Sequence, residues 1–513
     1  MMNRTVRLGA ALLTALLGAD AARGGAAEEL LARAREAIGS GVPMPAGKVF
    51  ELRGTTALLG LDSALTVLIG PAFEVRVSAD GPVRFERCWA GAGSWRRDLG
   101  GEVTPMYFGE HDEFAASAAI VSGRWTVPGA FEVTLDPALQ DAGAPYVLGF
   151  KDPNGRISGT MKLDRASLRP VWASYQTGAE RESVTLEGGM EVGGRWFPSA
   201  ISIAGGRGDA TRYEFAAASL VDAAGDTFVM NAGAPADTAY DTSKPAVLDV
   251  KKTKSGHILV RPSINGADAG WWIFDTGAGG GVIDSAAADR LGLKSFGEIP
   301  VSGLGGSMMS SLVRPDEFSL GPVSYRGVYM TKLDLGGIAK AMGEEIAGVV
   351  GYSLMHRCIV KLDMHTPHVE LLDGATFDGG GLAWQKMWVY ERHPAVEAVL
   401  EGAGGIYKLD SGAGQQAVFM HTWAVNDMRL LERPTTDSKA GGVGGSKPIK
   451  VGTLAEFALA GKTYKDLKAS FSLAADGPTA DRYTVGTIGG AILRDFDLVL
   501  DYRGERIAFL ERK

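Results

Sequence analysis

The sequence predicts a mainly β protein, with an antiparallel N-terminal β-domain followed by two similar β-rich lobes. Glycine is abundant, at 71 of 513 residues. Short runs of alternating apolar and polar residues recur along the chain, as expected of strands joined by tight turns. An internal repeat over residues 245–513 indicates two copies of one structural unit. At this length we expect two or three domains.

Composition and charge narrow the class of protein. Apolar content of 45% and charged content of 22% are ordinary for a globular chain and argue against general disorder. The net charge is −8 and no basic stripe accompanies it, so we expect no nucleic-acid partner. Two cysteines, Cys88 and Cys358, cannot build a disulfide framework, and we expect two unpaired thiols.

Residues 1–27 have the pattern of a secretory signal peptide. Two arginines precede an apolar run over 8–17, and Ala19-Asp20-Ala21 is a plausible cleavage signal. The alternative is that the segment is retained as an uncleaved anchor. No later segment has the ~18 uninterrupted apolar residues of a spanning helix. We therefore expect an exported protein, periplasmic or secreted, with no membrane span after signal removal.

Residues 28–240 are predicted to form the antiparallel domain, with meander connections between its strands. A short amphipathic helix, EELLARAREAI, opens it. Alternating stretches follow, among them KVFELRGTTALLGL, SGTMKLDRASLRPVWASYQ and TRYEFAAASLV. The stretch AGAPADTAYDTSKPA, 232–246, is rich in small and turn-forming residues, which predicts a linker.

Each repeated unit contains an aspartate between an apolar strand and a glycine-rich turn. WWIFDTGAGGGVID contains Asp275, and GIYKLDSGAGQQAVFM contains Asp410, 135 residues later. Gly-x-Gly-Gly-Ser follows at 303–307 and 442–446, and then Glu-Phe-x-Leu. A late element, VVG or TIG, ends 76 or 79 residues after the aspartate. Matching motifs at matching separations indicate a duplicated unit.

The two lobes are predicted over 245–375 and 382–513, joined by DGATFDGGG at 373–381. In each, the expected order is strand, Asp-[Thr/Ser]-Gly-Ala turn, short strand and helix, glycine-rich hairpin, strands, helix and final strand pair. The first helix is predicted in DSAAADRLGL and MHTWAVNDMRL, and the late helix in YSLMHR and GAILRD.

Each lobe resembles one lobe of a retropepsin-like aspartic protease. Three motifs carry the resemblance in both copies: the Asp-[Thr/Ser]-Gly-Ala signature, a glycine-rich flap and the late apolar-apolar-Gly element. The last departs slightly in the second copy, as Thr487-Ile488-Gly489. The resemblance implies bilobal acid-protease β-barrel lobes and an aspartic endopeptidase that acts on a peptide or protein substrate without a cofactor or metal.

The resemblance assigns roles to residues of this chain. Asp275 and Asp410 are the expected catalytic pair, and they share one proton because two carboxyls about 3 Å apart cannot both ionise. Since one chain supplies both, no catalytic dimer is required. The expected supporting residues are Thr276, Gly277, Ala278, Ser411, Gly412 and Ala413. The residues expected to form flaps over a bound peptide are Gly303, Leu304, Gly305, Gly306, Gly442, Val443, Gly444 and Gly445.

The supporting residues differ in their expected contributions. The resemblance implies that the hydroxyls of Thr276 and Ser411 bond across the lobe interface, and the following glycines allow a tight turn. Ala278 and Ala413 occupy positions where pepsin-like relatives often have a hydroxyl that favours the ionised carboxylate. Without those donors, we expect a working range less acidic than that of pepsin.

The sequence also allows other interpretations. A lone Asp-x-Gly is ordinary turn chemistry, and the duplication is what favours a catalytic pair. A protease-like fold without catalysis would be a periplasmic protein that binds peptide or lipid. A glycosidase would need carboxylates more than about 5 Å apart. The neighbouring side chains His356, Cys358, His365 and His368 lack a standard zinc spacing, so no metal site is predicted.

The N-terminal region resembles the half-barrels of periplasmic lipoprotein carriers. Its opening helix, the AGAGSWRRDLGGEV segment and the long strand series carry this resemblance. It implies lipid contact in the concave face of the sheet. The alternative is an accessory or inhibitory β-domain without a ligand.

Overall fold

The computed structural model describes residues 25–511, apart from 92, 136–139, 141–142, 178–179, 206–209 and 234–235. Residues 1–24 of the predicted signal peptide lie outside the described residues. Two compact units are present, one running to Ser94 and over His111–Val229, the other formed by Trp95–Glu110 and the residues from Met230 onward. Among the described helices, none combines the length and the apolar character needed to cross a membrane.

The described residues up to 229 are strand-rich, as predicted. Helix α1 spans 25–37 and helix α2 spans Phe108–Ser122. Strands β1 to β15 are Lys48–Leu58, Leu61–Ile69, Val75–Asp80, Arg84–Ala90, Gly93–Arg97, Val103–Pro105, Glu132–Leu135, Tyr146–Lys151, Ser158–Leu163, Pro170–Thr177, Glu180–Glu187, Met190–Val192, Arg195–Phe197, Ala200–Ala204 and Ala210–Asp222.

The first unit is built on an antiparallel sheet. Its strands lie in the order β4-β3-β2-β1-β15-β14-β11-β10-β9-β8-β7. The long β1–β15 pairing shifts register between Arg53 and Gly54. A Cβ at Gly54 would lie 1.8 Å from the carbonyl oxygen of Glu214, so only glycine fits at this bulge.

Helix α2 was not predicted from the sequence. Its residues FAASAAIVS are small or apolar on every side, and Phe114, Ala118 and Ile120 are all buried. The strongly polar residues of the helix are consecutive, Glu110 to Glu113, rather than spaced along its length, so the sequence has no helical periodicity to detect.

The unit boundaries depart from the predicted 28–240 domain in two places. Residues 95–110 lie inside that range but pack within the second unit. At its other end, part of the predicted linker 232–246 forms strand β16, Thr238–Tyr240, which pairs with Val323–Tyr325. A three-residue edge strand in polar, turn-rich sequence gives too short a pattern to predict.

The second unit contains two lobes. In the first, β16 to β30 are Thr238–Tyr240, Lys251–Lys252, Ile258–Val260, Ser263–Ile264, Ala267–Asp268, Trp272–Phe274, Gly281–Asp284, Ser295–Gly303, Gly306–Val313, Phe318–Leu320, Val323–Tyr325, Met330–Leu333, Gly348–Val350, Ile359–Asp363 and His368–Leu372. Its helices α3 to α5 are Ser285–Arg290, Gly336–Met342 and Tyr352–Met355.

The second lobe follows the loop 373–383. Its strands β31 to β41 are Trp384–Lys386, Trp388–Tyr390, His393–Leu400, Ala403–Asp410, Val418–Met420, Thr436–Gly442, Gly445–Leu459, Lys462–Ser472, Gly486–Gly489, Phe496–Asp501 and Arg506–Glu511. Its helices α6 and α7 are Thr422–Asp427 and Gly490–Leu493.

Strand order matches between the two lobes. The first has β21-β28-β22-β27-β24-β23 and the second has β34-β39-β35-β38-β37-β36. In each, the strand that leads into the aspartate runs parallel to the late strand, with Phe274 opposite Val350 and Asp410 opposite Gly489. The prediction of a mainly β fold is confirmed.

A further sheet joins the lobes through their final hairpins, in the order β30-β29-β40-β41-β31. Strands β29 and β40 pair antiparallel, with Val360 opposite Leu500 and Leu362 opposite Leu498. All four side chains are buried in a core that both lobes share. This shared core holds the two aspartate turns in a common framework.

Candidate functional site

Each aspartate lies at the end of a buried strand. Trp272 and Phe274 in β21 are fully buried, and the Asp275 N–H donates to the Val350 carbonyl at 2.9 Å. Strand β34 ends at Asp410, and a single 3₁₀ turn, Ser411–Ala413, follows. The buried strands bring both carboxyls to the interior of the interface between the lobes.

The carboxyl groups of Asp275 and Asp410 lie next to each other, close enough for the charge of Asp275 to raise the pKa of Asp410. The glycine of each turn packs against the carboxyl of the other lobe. A Cβ at Gly277 would lie 2.4 Å from Asp410 Cγ, and a Cβ at Gly412 would lie 2.4 Å from Asp275 Cγ. Any larger residue at either position would therefore displace a carboxyl.

The two carboxyls have different surroundings. Asp275 Oδ1 accepts N–H donors from Gly277 at 2.7 Å and from Gly412 at 3.2 Å. Burial raises the pKa of Asp275, and these N–H groups oppose the rise. Burial raises the pKa of Asp410 well above its ordinary value, and the neighbouring charge of Asp275 raises it further. The pair therefore retains a proton at pH values at which an isolated carboxyl has lost it.

Thr276 and Ser411 form a reciprocal bridge beneath the pair. Thr276 N–H donates to Ser411 Oγ, and Ser411 N–H donates to Thr276 Oγ1, both at 2.9 Å. The two hydroxyls in turn donate to the carbonyls of Leu409 and Phe274, at 3.1 and 2.9 Å. Both residues are buried, so all four bonds lie out of water.

The remaining predicted supporting residues line the turns. A Cβ at Gly351 would lie 2.3 Å from the Ala278 carbonyl oxygen, which explains the glycine that follows the first late strand. Gly489 is similarly close to the second turn, where a Cβ would lie 2.4 Å from the Gln416 carbonyl oxygen and 3.1 Å from the Ala413 Cβ. Neither alanine carries a hydroxyl. In the described part of the chain, the buried Asp410 Oδ1 has no hydrogen-bond partner.

The glycine-rich hairpins meet at their tips. Strands β23 and β24 form one hairpin, and β36 with the start of β37 forms the other. The Gly305 N–H donates to the Val443 carbonyl at 3.0 Å. A Cβ at Gly305 would lie 2.1 Å from the nitrogen of Gly445, and one at Gly303 would lie 2.6 Å from the Val443 oxygen. The remaining predicted flap residues, Leu304, Gly306, Gly442 and Gly444, lie at these same tips.

Two histidines that the sequence analysis did not assign contact the aspartate turns. His257 Nε2–H donates to the Gly412 carbonyl at 2.8 Å, and His393 Nε2–H donates to the Gly277 carbonyl at 2.9 Å. Each histidine thus binds the turn of the opposite lobe. The sequence signal that could have identified these histidines is their spacing, because they precede Asp275 and Asp410 by nearly equal separations of 18 and 17 residues.

The other histidines do not form a site with the cysteines. His356 is buried, and burial lowers its pKa to about 3. Cys88 and Cys358 are both free and buried, and burial raises the pKa of Cys358 to about 12. Among the described residues, no group of three or more His, Cys, Asp or Glu side chains is arranged to hold a metal ion.

Residues 260–354 match the aspartyl protease family. The matched range contains Asp275 with its turn, the first flap and Gly351, which confirms the resemblance of the first lobe. Residues 382–513 lie outside the matched range. No curated protein matches the chain.

Solved structures similar to parts of this chain are remote from it. A LolA superfamily protein from Nitrosomonas europaea is 14% identical and covers 40% of this chain and 97% of its own, with a TM-score of 0.29. A DUF1329 family protein from Desulfovibrio piger is 12% identical and covers 40% of this chain and 96% of its own, with a TM-score of 0.29. A retropepsin-like aspartic protease from Rickettsia conorii is 13% identical and covers 25% of this chain and 93% of its own, with a TM-score of 0.19.

Proposed function

We propose that the protein is an aspartic endopeptidase whose catalytic pair is Asp275 and Asp410. The observation that carries this proposal is the close pairing of two carboxyls, one from each lobe, each packed against the turn glycine of the other lobe. A protein that merely held the lobes together would gain nothing from placing two repelling acids there, because burying them costs several kcal/mol. Such a pair is suited to acid and base catalysis by its two members.

In this mechanism the two carboxyls share one proton, so that one acts as the base and the other as the acid. Asp275, ionised and stabilised by two N–H donors, removes a proton from a water molecule as that water attacks the scissile carbonyl carbon. Asp410 donates its proton to the carbonyl oxygen, giving a neutral diol. As the diol collapses and the C–N bond breaks, Asp275 gives its proton to the leaving nitrogen and Asp410 accepts a proton from a diol hydroxyl, which restores both carboxyls to their starting states. No metal or covalent intermediate takes part in this route.

The flaps supply substrate binding in this proposal. An extended peptide between the hairpin tips and the aspartate turns would accept and donate main-chain hydrogen bonds in the manner of an added strand. Opening of the tip-to-tip contact at Gly305 and Val443 would admit it, and closure would exclude water from the pair. We further propose that the protein acts after export, in the periplasm or outside the cell.

Peptide cleavage in the presence of a statine-type inhibitor tests the proposal. A statine hydroxyl mimics the tetrahedral intermediate, so it should abolish cleavage of a mixed peptide library by the full chain. Asp275→Asn should abolish both cleavage and inhibitor binding. Intact peptides bound without cleavage by the wild type would instead indicate a non-catalytic peptide-binding protein.

A second candidate function concerns the first unit alone. A mainly apolar cavity of about 180 Å³ opens within it, lined among others by Val67, Val77, Phe114, Ile201 and Tyr213. This volume is below the roughly 300–1,000 Å³ of ordinary ligand pockets, so it fits part of an acyl chain rather than a whole lipid. Binding of a fluorescent fatty acid that weakens in Ala118→Met, which fills the cavity, would support lipid contact; equal binding would exclude this cavity as its site.

A further inference from the structure

Residues 95–110 bind both lobes of the second unit. Towards the first lobe, Glu102 forms an ion pair with Arg357, and the Gly100 carbonyl accepts from the same guanidinium at 2.9 Å. The side chains of Glu102 and Arg357 are only 2% and 1% exposed. Towards the second lobe, Asp98 accepts from Arg392 at 2.5 Å. The segment therefore ties the lobes together at two buried or partly buried ion pairs.

The ion pair between Asp98 and Arg392 lies on a strained turn. Glu391 and Arg392 form the two-residue connection between β32 and β33, with φ values of 50° and 66°. A two-residue hairpin turn with positive φ at both positions strongly prefers Asn-Gly, because positive φ is sterically costly for most residues with a Cβ. Such a conformation persists only when its surroundings hold it in place.

The surroundings of the turn come largely from residues 95–110. Glu110 Oε2 accepts the Glu391 N–H at 3.0 Å, and Asp98 holds the Arg392 side chain. Burial alone would raise the pKa of Asp98, but Arg392 and Arg96 lower it to about 2. Phe108 packs against β32, with ring centroids 6.0 Å from Trp388 and 5.3 Å from Tyr390.

The residue after the turn reaches the catalytic pair. His393 donates from Nε2 to the Gly277 carbonyl, and Gly277 both packs on the Asp410 carboxyl and donates its N–H to Asp275. His393 is therefore two contacts from each aspartate. Since β33 begins at His393, a shift in the Glu391–Arg392 turn would move its ring directly.

We propose that residues 95–110 are a positioning element of the catalytic pair, acting through the Glu391–Arg392 turn and His393 on the Gly277 loop. This inference rests on the proposed function. It makes the segment a required part of the enzyme, so the N-terminal region that contributes it is not an inhibitory domain whose removal releases activity. His393 is a positioning residue, because it touches Gly277 rather than the reacting atoms.

Four full-length variants test this inference. His393→Leu removes the donor to Gly277, His393→Gln retains an N–H donor, and Asp98→Asn removes the charge that holds Arg392. Tyr107→Phe is the matched control, because it removes a bond from the same segment to Glu505, away from the turn. Thermal unfolding first establishes that each variant is folded.

The inference predicts a separation of kcat from KM. A misplacement of about 1 Å can cost about 100-fold in rate, so His393→Leu should lower kcat by about tenfold to 100-fold with KM unchanged. His393→Gln should recover most of that loss, Asp98→Asn should lower kcat in the same direction, and Tyr107→Phe should match the wild type. A folded His393→Leu with wild-type kcat would overturn the inference and leave the proposed function standing.

A second readout does not depend on activity. Amide hydrogen exchange over residues 275–280 should accelerate in His393→Leu and Asp98→Asn but not in Tyr107→Phe. If the wild type cleaved no peptide, the proposed function would fail, and this measurement would still decide whether the segment orders the Gly277 loop. Unchanged exchange in both test variants would overturn the positioning role.

Discussion

The Thr276 hydroxyl accepts the Ser411 N–H, while the Ser411 hydroxyl accepts the Thr276 N–H, each at 2.9 Å. This exchange joins the two lobes directly beneath their aspartates. The positions are 135 residues apart in sequence and equivalent in the repeat. The two aspartate turns are therefore fixed to each other as well as to their own lobes.

Removing one hydroxyl from this bridge should destabilise the protein. Thr276→Val leaves the buried Ser411 N–H without its acceptor, which costs about 1–3 kcal/mol in the free energy of unfolding. Thr276→Ser keeps the hydroxyl and should cost much less. Chemical denaturation of both variants checks this, and equal stabilities would show that the bridge contributes nothing.

The Asp410→Asn variant should be more stable than the wild type at neutral pH. Asp410 titrates near 3.8 when unfolded, whereas burial and the charge of Asp275 raise its folded pKa well above that. Its contribution to stability is therefore present below pH 3.8 and is lost as pH rises towards the folded pKa. The replacing amide carries no charge and avoids this loss.

Thermal unfolding at two pH values tests the predicted direction of this stability difference. The midpoint of Asp410→Asn should exceed that of the wild type at pH 7, by an amount that shrinks at pH 3. A variant less stable than the wild type at pH 7 would mean that the carboxyl pair stabilises the fold in its ionised form.

The pH dependence of hydrolysis should be bell-shaped with a less acidic optimum than that of pepsin. At low pH both carboxyls hold protons and no base is left, and at high pH both lose them and no acid is left. Burial raises the pKa of both Asp275 and Asp410, so both limbs move upward. A rate profile measured on one peptide tests this, and an optimum below about pH 3 would contradict it.

Flap closure should be sensitive to one methyl group at the tip. Gly305→Ala places a Cβ 2.1 Å from the Gly445 nitrogen, so the tips cannot meet as they do now. Gly441→Ala, in the other hairpin, meets only one atom at 3.9 Å and is the matched control. We expect kcat/KM to fall about tenfold or more in the first variant and to stay unchanged in the second. Equal values would show that tip contact is not needed for hydrolysis.

The repeated motifs allowed the central residues of the candidate site to be predicted from the sequence. Asp275 and Asp410 share a signature, a fixed separation and matching downstream glycines, and each local pattern is complete within a few residues. The reciprocal contact of Thr276 and Ser411 followed from the resemblance to a known family. Physical chemistry explains why the glycines are needed, because Gly277, Gly305 and Gly351 each lie too close to another residue for a Cβ.

The parts that could not be predicted depend on tertiary contacts. His393 has no local feature that marks it, and its role arises only because β33 brings it to the turn of the other lobe. Residues 95–110 read as ordinary β-domain sequence, since the charges of Asp98 and Glu102 find partners more than 250 residues away. Helix α2 lacked the periodic spacing of polar residues that would have revealed it.

Peptide hydrolysis by Asp275→Asn and Asp410→Asn chains, assayed singly and mixed, tests the central claim most directly. The claim is that one chain builds the whole site from its two lobes. The account predicts cleavage by the wild type, none by either variant, and none by their mixture. Cleavage retained by either variant, or restored by mixing them, would contradict it.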